Sequence, residues 1–260
     1  MERLRTAVVG CSNLGRSHAA NYREQEDVEV VAICDLLAEA RQRMQEEVFA
    51  PAGLEPVQYQ DYEEMLDETA PDAVSLVVPH HLHFDMCRQA LERGIHVLVE
   101  KPMVTSTPEA ERLADIARES GKVLDIAFQA PHAPQARAAH GAIETGRIGE
   151  VIFVRGTLAQ PWLTLLAQLP QKRWRLKKAS AGGGQLYDSG SHLLNAMLWI
   201  TDLRPRRVFA EIDFRDEEVD VNSALTIRFE NGAVGAVSVR GAASRDGLHS
   251  ELQITGTKGE

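Results

Sequence analysis

Cysteine is scarce: the 260 residues hold only Cys11, Cys34 and Cys87. An odd number at wide spacing indicates neither a disulfide framework nor a Cys-x-x-Cys metal site, so a reducing cytoplasm is the expected home. Long hydrophobic runs are missing as well, and none approaches the ~18 residues that a membrane-crossing helix needs. The N-terminus leads straight into a strand-like segment, without the apolar core and cleavage site of a signal peptide. Positive charge is in deficit, with 28 Lys and Arg against 38 Asp and Glu and a formal charge of −10. Counterion release needs a basic surface, which argues against a general binder of nucleic acid or anionic membrane. The clusters Lys172–Arg175 and Lys177–Lys178 are too local to reverse that. Repeats and low-complexity segments are lacking.

What is present is an ordinary globular composition, 44% apolar and 25% charged, in a chain long enough for two modest domains. Strand-like and helix-like stretches alternate through the first half. Leu4–Val9 is a short apolar run ending at Gly10, and a helix-like stretch, Leu14–Glu24, follows. Between them lies Gly10-Cys-Ser-Asn-Leu-Gly15. A dinucleotide-binding turn wants Gly-x-Gly-x-x-Gly there, for a tight bend, close approach of a pyrophosphate and close helix–strand packing. Ser12 replaces the second glycine; it is the next smallest option and can donate to phosphate. Ser12, Asn13 and Leu14 are therefore candidates for contact with a cofactor alongside Gly10.

A second apolar run, Val28–Cys34, ends in Asp35, twenty positions after Gly15. An acid there accepts from adenosine ribose hydroxyls and repels a 2′-phosphate, so NAD is favoured over NADP. Asp35 could equally cap a helix over Leu37–Val48. Val57–Tyr59, Ala73–Val78, Ile95–Val99 and Val123–Phe128 read as further strands, with helices over Tyr62–Asp67, Phe84–Arg93 and Pro108–Ser120. The run from Ala73 ends at Pro79-His80-His81-Leu82-His83. No Cys, Asp or Glu stands near at a metal spacing, so a metal site is not expected. A turn at the sheet's carboxyl edge, with Pro79, His80 and His83 near the cofactor, fits better. The strand at Val99 runs into Glu100-Lys101-Pro102. That places a cation at the edge where open α/β sheets bind ligands, in a turn that proline stiffens. A lone lysine in such a turn is most simply solvated.

The second half changes character. A helix to about Thr145 precedes a strand Val151–Gln160, and an irregular stretch containing Trp162 and Lys172-Arg-Trp-Arg175 runs to Gly182-Gly-Gly184. Then comes Leu186-Tyr-Asp188-Ser-Gly-Ser-His192, entering a helix over Leu193–Ile200. Asp188 and His192 are four apart and share a face if both are helical. They could be a base with its orienting acid, or a cap and a core histidine. Strands are expected at Arg207–Phe214, Asp220–Phe229, Ala233–Ala242 and Leu248–Thr255, with Glu230-Asn-Gly232 as a tight hairpin turn.

Taken together, Gly-x-x-x-x-Gly, Asp35, Pro-x-x-x-His, Glu-Lys-Pro and Asp-x-Gly-x-His resemble the Gfo/Idh/MocA oxidoreductases, along essentially the whole chain. The resemblance implies an N-terminal Rossmann-like, doubly wound parallel sheet over residues 1–125. A C-terminal α+β domain with a mainly antiparallel sheet would fill 126–260. It implies hydride transfer between NAD(P) and a secondary alcohol or ketone of a sugar or cyclitol, with Lys101, Asp188 and His192 as the catalytic trio. On this reading His192 is the base, Asp188 orients it and Lys101 clamps the substrate oxygen. Glu100, Lys101 and Arg175 join the cofactor contacts, and Lys101, His132, Asp188 and His192 the substrate contacts. A homo-oligomer, dimer or tetramer, formed through the C-terminal sheet is also implied. Two other activities share the pattern: NAD-dependent glycoside cleavage, and non-catalytic sensing of a dinucleotide or sugar. Asn195 stands where relatives often have Asp, and Gln129-Ala-Pro-His132 replaces an Arg-containing stretch. The chain also stops at Glu260, where relatives usually continue.

Overall fold

The computed structural model describes residues 2–244 and 249–260. The chain forms two compact units, Met1–Ala127 and Phe128–Glu260; the sequence reading set the boundary at 125/126. No helix of the described residues is long and apolar enough to cross a membrane.

The first unit is a six-stranded parallel sheet in the order β3-β2-β1-β4-β5-β6. Its strands are β1 (Leu4–Val9), β2 (Val28–Cys34), β3 (Val57–Tyr59), β4 (Ala73–Leu76), β5 (His96–Val99) and β6 (Leu124–Ile126). The connecting helices are α1 (Asn13–Arg23), α2 (Ala38–Met44), α3 (Tyr62–Thr69), α4 (His83–Glu92) and α5 (Thr107–Ser120). Helices cover both faces, which is why consecutive rather than alternate residues of β1 and β4 are buried. Val74, Leu76, Val97 and Val99 are buried with Leu91 and Leu113 in one cluster, and Val8, Ile33 and Phe49 in another. Strand order reverses between β1 and β4, so the crevice outside their carboxyl ends is the ligand position of this architecture.

Boundaries depart from the sequence reading in instructive places. The helix expected to Val48 gives way at Met44 to a π-helical turn, Gln45–Phe49, which buries Val48 and Phe49. The strand at Ala73 ends at Leu76, two residues early, so Val77 and Val78 belong to the turn. Just ahead of α5, Thr105 donates its backbone N–H (3.1 Å) and hydroxyl (2.9 Å) to Glu109.

The second unit is a five-stranded sheet in the order β11-β7-β10-β9-β8. The strands are β7 (Val151–Ala159), β8 (Pro205–Asp213), β9 (Asn222–Phe229), β10 (Val234–Arg240) and β11 (His249–Gly256). The expected start of the last strand at Leu248 lies outside the described residues. The sheet is mixed: β10 pairs parallel with β7, and the other three pairings are antiparallel. Phe229 accepts from Gly232 N–H at 3.1 Å, and Gly232 sits at φ +90°, which makes the hairpin between β9 and β10 tight. Helices α6 (Pro134–Glu144) and α10 (Gly190–Thr201) belong to the same unit. Leu193 and Met197 of α10 pack with Val154, Ile227, Phe229, Val237 and Val239 as the core. The stretch left irregular by sequence contains α7 (Trp162–Gln168), a 3-10 turn over Pro170–Leu176 and α8 (Lys178–Ala181), and α9 (Gln185–Asp188) follows it.

Gly10 occupies φ +93°, and a Cβ built there would lie 2.1 Å from the Val77 carbonyl oxygen. Left-handed backbone and contact with rigid backbone both oppose a side chain. Gly10→Ala is therefore expected to destabilise the N-terminal unit by about 3 kcal/mol, read as a lowered urea midpoint.

Candidate active site

The turn after β1 is built by close contact. A Cβ on Gly15 would lie 1.8 Å from the Gly10 carbonyl oxygen, so α1 presses directly on the strand end. Ser12 precedes α1 without a side-chain capping bond, and the positive end of an eleven-residue helix is presented at the sheet's carboxyl edge. Leu14 is exposed, and Asn13 accepts from Arg16 at 2.6 Å. Asp35, at the end of β2, accepts Cys11 N–H (2.7 Å) on one oxygen and Leu37 N–H (2.9 Å) on the other. The carboxylate thus ties the glycine turn to the start of α2. Each oxygen keeps a further lone pair for a ligand hydroxyl. Glycines that no side chain could replace, a helix start and a fixed carboxylate fit a dinucleotide.

Cys11 and Cys34 lie beside this turn. Burial, reinforced by the charge of Asp35, pushes both thiols up to about 12, so they are inert at neutral pH.

The Pro79–His83 turn and the Glu100–Pro102 turn are joined. His83 is completely buried, with Nδ1 at 2.8 Å from the Pro102 carbonyl and Nε2 at 2.9 Å from the Val78 carbonyl. This corrects the cofactor role expected of His83, since its ring is enclosed and used by backbone on both sides. His80 is also buried, at 4% exposure, and Pro79 is half-buried. The Lys101–Pro102 peptide is cis, and Lys101 is half-buried.

Glu100, 7% exposed, holds the other side of that turn. One oxygen lies 3.2 Å from His18 Nε2, and the other accepts the backbone N–H of Lys101 at 3.2 Å. Burial alone would raise its pKa, but the His18 hydrogen bond and the His18 and Lys101 charges win. The carboxyl is held below the usual range. His18 Nδ1 meets the hydroxyl of buried Ser75 at 2.8 Å. Neither His18 nor Ser75 was identified from sequence. His18 had a signal, being three residues after Gly15 and so on the same helix face.

In the C-terminal unit, Asp188 ends α9 and His192 lies in the first turn of α10, with Ser189 between the two helices. The pair is therefore not on one continuous helix. Asp188 is 7% exposed, and its Oδ2 takes the indole N–H of Trp162 (3.0 Å) and the Arg175 guanidinium (3.3 Å). Arg175 also stacks on Trp174, 4.6 Å from the ring centroid. An acid held by two donors is fixed in position. Arg175 is thus brought to Asp188, a partner the sequence reading did not give it. Phe128 meets the His192 ring edge-on at 5.6 Å. His132 is exposed on a 3-10 turn that packs against α10. Asn195, one turn beyond His192, has a buried Oδ1 without a hydrogen-bond partner among the described residues.

The glycine run preceding Asp188 is anchored by Asp220. Its carboxylate accepts Gly184 N–H (2.8 Å) and Leu186 N–H (2.7 Å), and its carbonyl accepts Gln185 N–H (2.9 Å). A Cβ on Gly184 would fall 1.9 Å from that carbonyl. Three consecutive amides thus end on one residue, and no spacing pattern in the sequence pointed to it.

A dinucleotide-binding parallel sheet followed by a mixed-sheet unit carrying a carboxylate–imidazole pair defines an NAD(P)-dependent oxidoreductase fold. Residues 4–128 match the family model described as an oxidoreductase family with an NAD-binding Rossmann fold, and residues 136–260 match the GFO/IDH/MocA C-terminal domain. The chain belongs to the Gfo/Idh/MocA family. It is 28% identical to levoglucosan dehydrogenase of Pseudarthrobacter phenanthrenivorans, over all of this chain and 73% of that protein. It is 31% identical to the NADP-dependent D-xylose 1-dehydrogenase of Haloarcula marismortui, over 78% of this chain and 56% of that one. Against two further relatives, a D-glucoside 3-dehydrogenase of Escherichia coli and a dTDP-sugar 3-reductase of Actinomadura kijaniata, the matched region likewise spans little more than half their length. The crystal structure of GenD2 from gentamicin A biosynthesis, in complex with NAD, superposes with a TM-score of 0.86 at 28% identity. That match covers all of this chain and 71% of the other.

Burial pulls the His83 imidazole below its ordinary range, against the pull of its carbonyl partners and Glu100. The unfolded chain therefore takes up a proton near pH 6.5 that the folded chain resists. Stability is expected to hold above that pH and to fall below it, with a His83 share of up to ~1.4 kcal/mol per pH unit. Urea titrations between pH 7.5 and 5.5 should show a shallower decline in His83→Gln.

Proposed function

We propose that this chain transfers hydride between NAD and a secondary alcohol of a sugar or cyclitol. The observation that carries the reading is the buried Asp188 carboxylate, held by Trp162 and Arg175 just before His192, in a chain that also keeps a Glu-Lys-Pro turn at its dinucleotide sheet. The dinucleotide, when bound, supplies the ring carbon that accepts or returns hydride. His192 removes the hydroxyl proton as the carbinol carbon gives up its hydride, and returns a proton in the reverse direction. Lys101 donates to the substrate oxygen and stabilises the negative charge that develops there. Asp188 orients the substrate hydroxyl or His192, and its two donors keep it from wandering. Two of the relatives support a sugar substrate, being named for levoglucosan and D-xylose.

NAD is favoured because the Asp35 carboxylate ends β2 with acceptor capacity left for ribose hydroxyls and a charge that repels a 2′-phosphate. Gly10, Ser12, Asn13 and Leu14 would cradle the pyrophosphate. A panel of sugars and cyclitols scored by NADH absorbance, with NADP alongside, identifies the substrate. On whichever is turned over, Lys101→Ala should lower kcat by at least ~100-fold, while calorimetry finds NAD affinity within a few-fold of wild type. Unchanged turnover refutes the role.

We also read the sheet of the C-terminal unit as a contact between copies of the chain. All nine residues of β8 are exposed. Phe209 pairs with Thr226 and Phe153 with Thr255, on the face opposite the α10 core, and the two phenylalanines are 68% and 39% exposed. Exposed aromatic rings set among charged residues on an uncovered sheet face mark an interaction surface. Light scattering should give at least twice the single-chain mass for wild type and a single-chain mass for Phe209→Asp.

A further inference from the structure

We propose that His18 is a positioning residue for the Lys101 turn, carrying the placement of the dinucleotide-binding helix through to the lysine. The proposal rests on the reading of Lys101 as a substrate-facing group.

The argument begins with packing. Gly15 lets α1 lie against the end of β1, since any side chain there would strike the Gly10 carbonyl at 1.8 Å. The residues one turn further along the same face are His18 and Ala19, and Tyr22 follows. Ala19 is fully buried, and the His18 side chain is 14% exposed. The ring is therefore delivered to the carboxyl ends of β4 and β5. There Nδ1 meets Ser75 Oγ at 2.8 Å and Nε2 meets Glu100 Oε1 at 3.2 Å. Three side chains, from α1, β4 and the turn after β5, thus form one chain: Ser75, His18 and Glu100.

Its end matters most. Glu100 is buried, and a buried carboxylate needs donors on its oxygens. It has the His18 imidazole on one and the Lys101 backbone N–H, at 3.2 Å, on the other. Glu100 N–H is itself spent on the Leu76 carbonyl at 2.9 Å, so the main chain leading into the turn is pinned. Remove the imidazole and the carboxylate must rotate to another donor or admit water. Either movement carries the amide of Lys101 with it. His83, on the Pro102 carbonyl, holds the far side of the turn but contacts neither Glu100 oxygen within hydrogen-bond distance. The nitrogen that serves Glu100 is therefore the one on which the lysine's placement turns.

The two ring nitrogens can be tested separately, because glutamine mimics the Nε2 position and asparagine the Nδ1 position. His18→Asn keeps a partner for Ser75 and abandons Glu100, whereas His18→Gln keeps Glu100. Small displacements of a reacting group cost one to two orders of magnitude in rate. His18→Asn is accordingly expected to lower kcat about tenfold or more, with calorimetric NAD affinity within twofold of wild type. His18→Gln should recover most of that loss. Hydrogen exchange of a peptide spanning residues 100–104 is the readout that does not depend on turnover. It should accelerate in His18→Asn and return toward wild type in His18→Gln. Should His18→Asn fail to fold, Glu100→Gln interrupts the same contact from the other side and is expected to lower kcat and accelerate the same peptide. If the two His18 variants behave alike in rate and exchange, the proposal is overturned. If no substrate is turned over by wild type, the dehydrogenase reading fails, and the exchange comparison alone still decides whether His18 positions the turn.

Discussion

The N-terminal unit depends on one close approach of backbone to backbone. The bend after β1 brings Gly10 under the Val77 carbonyl, and α1 begins by laying Gly15 on the Gly10 carbonyl, at distances that leave no room for a methyl group. A helix set this near the sheet presents its positive end to a ligand at the strand termini. It also turns its inner face, Gly15, His18, Ala19 and Tyr22, toward the neighbouring strands. The same contact that makes a phosphate cradle therefore delivers an imidazole to Glu100. Cofactor site and lysine turn are consequences of a single packing constraint.

Several polar groups are buried at this edge, set against polar partners. Ser75, His83 and Glu100 are enclosed with partners drawn from turns that are distant in sequence. A buried polar group stabilises only when it is satisfied, and leaving one unpaired costs more than the bond contributes. Such a network specifies one arrangement of the Pro79–His83 and Glu100–Pro102 turns. In the C-terminal unit Asp220 has the same task, gathering three successive amides so that α9 starts in one place and Asp188 ends up beneath Trp162 and Arg175. In both units the residues proposed to meet substrate sit in turns or at helix ends, stiffened by carboxylates that do not meet it.

Much of this could be read along the chain. Strands β1 and β2 follow directly from runs ended by Gly10 and Asp35, because their carboxyl-terminal halves are buried on both faces and leave few polar positions to confuse the pattern. Glu-Lys-Pro and Asp-x-Gly-x-His stood out as dense groupings of chemical side chains. The irregular stretch before Gly182 was not legible: α7, the 3-10 turn and α8 are too short for a periodic signal, and what holds them is contact, Trp162 and Leu176 packing with Val219 and Val221. Arg175 could be named but not placed, since its partner lies thirteen residues away across that stretch. His83 was misassigned because the same residue type serves equally as ligand contact and as buried strut.

Sequence alone determined the order of the elements outside the stretch before Gly182, the parallel character of the first sheet, the mainly antiparallel character of the second, and the glycine turn with its acid. These are properties of composition and spacing, which act locally; the lysine, aspartate and histidine of the proposed chemistry were singled out by family resemblance. Only the tertiary structure decided which polar side chains are partners: His18 with Ser75 and Glu100, His83 with two carbonyls, Asp188 with Trp162 and Arg175, Asp220 with the glycine run. Hydrogen bonds between residues tens of positions apart leave no periodicity behind, because the constraint they satisfy is burial, and burial exists only once the chain has folded.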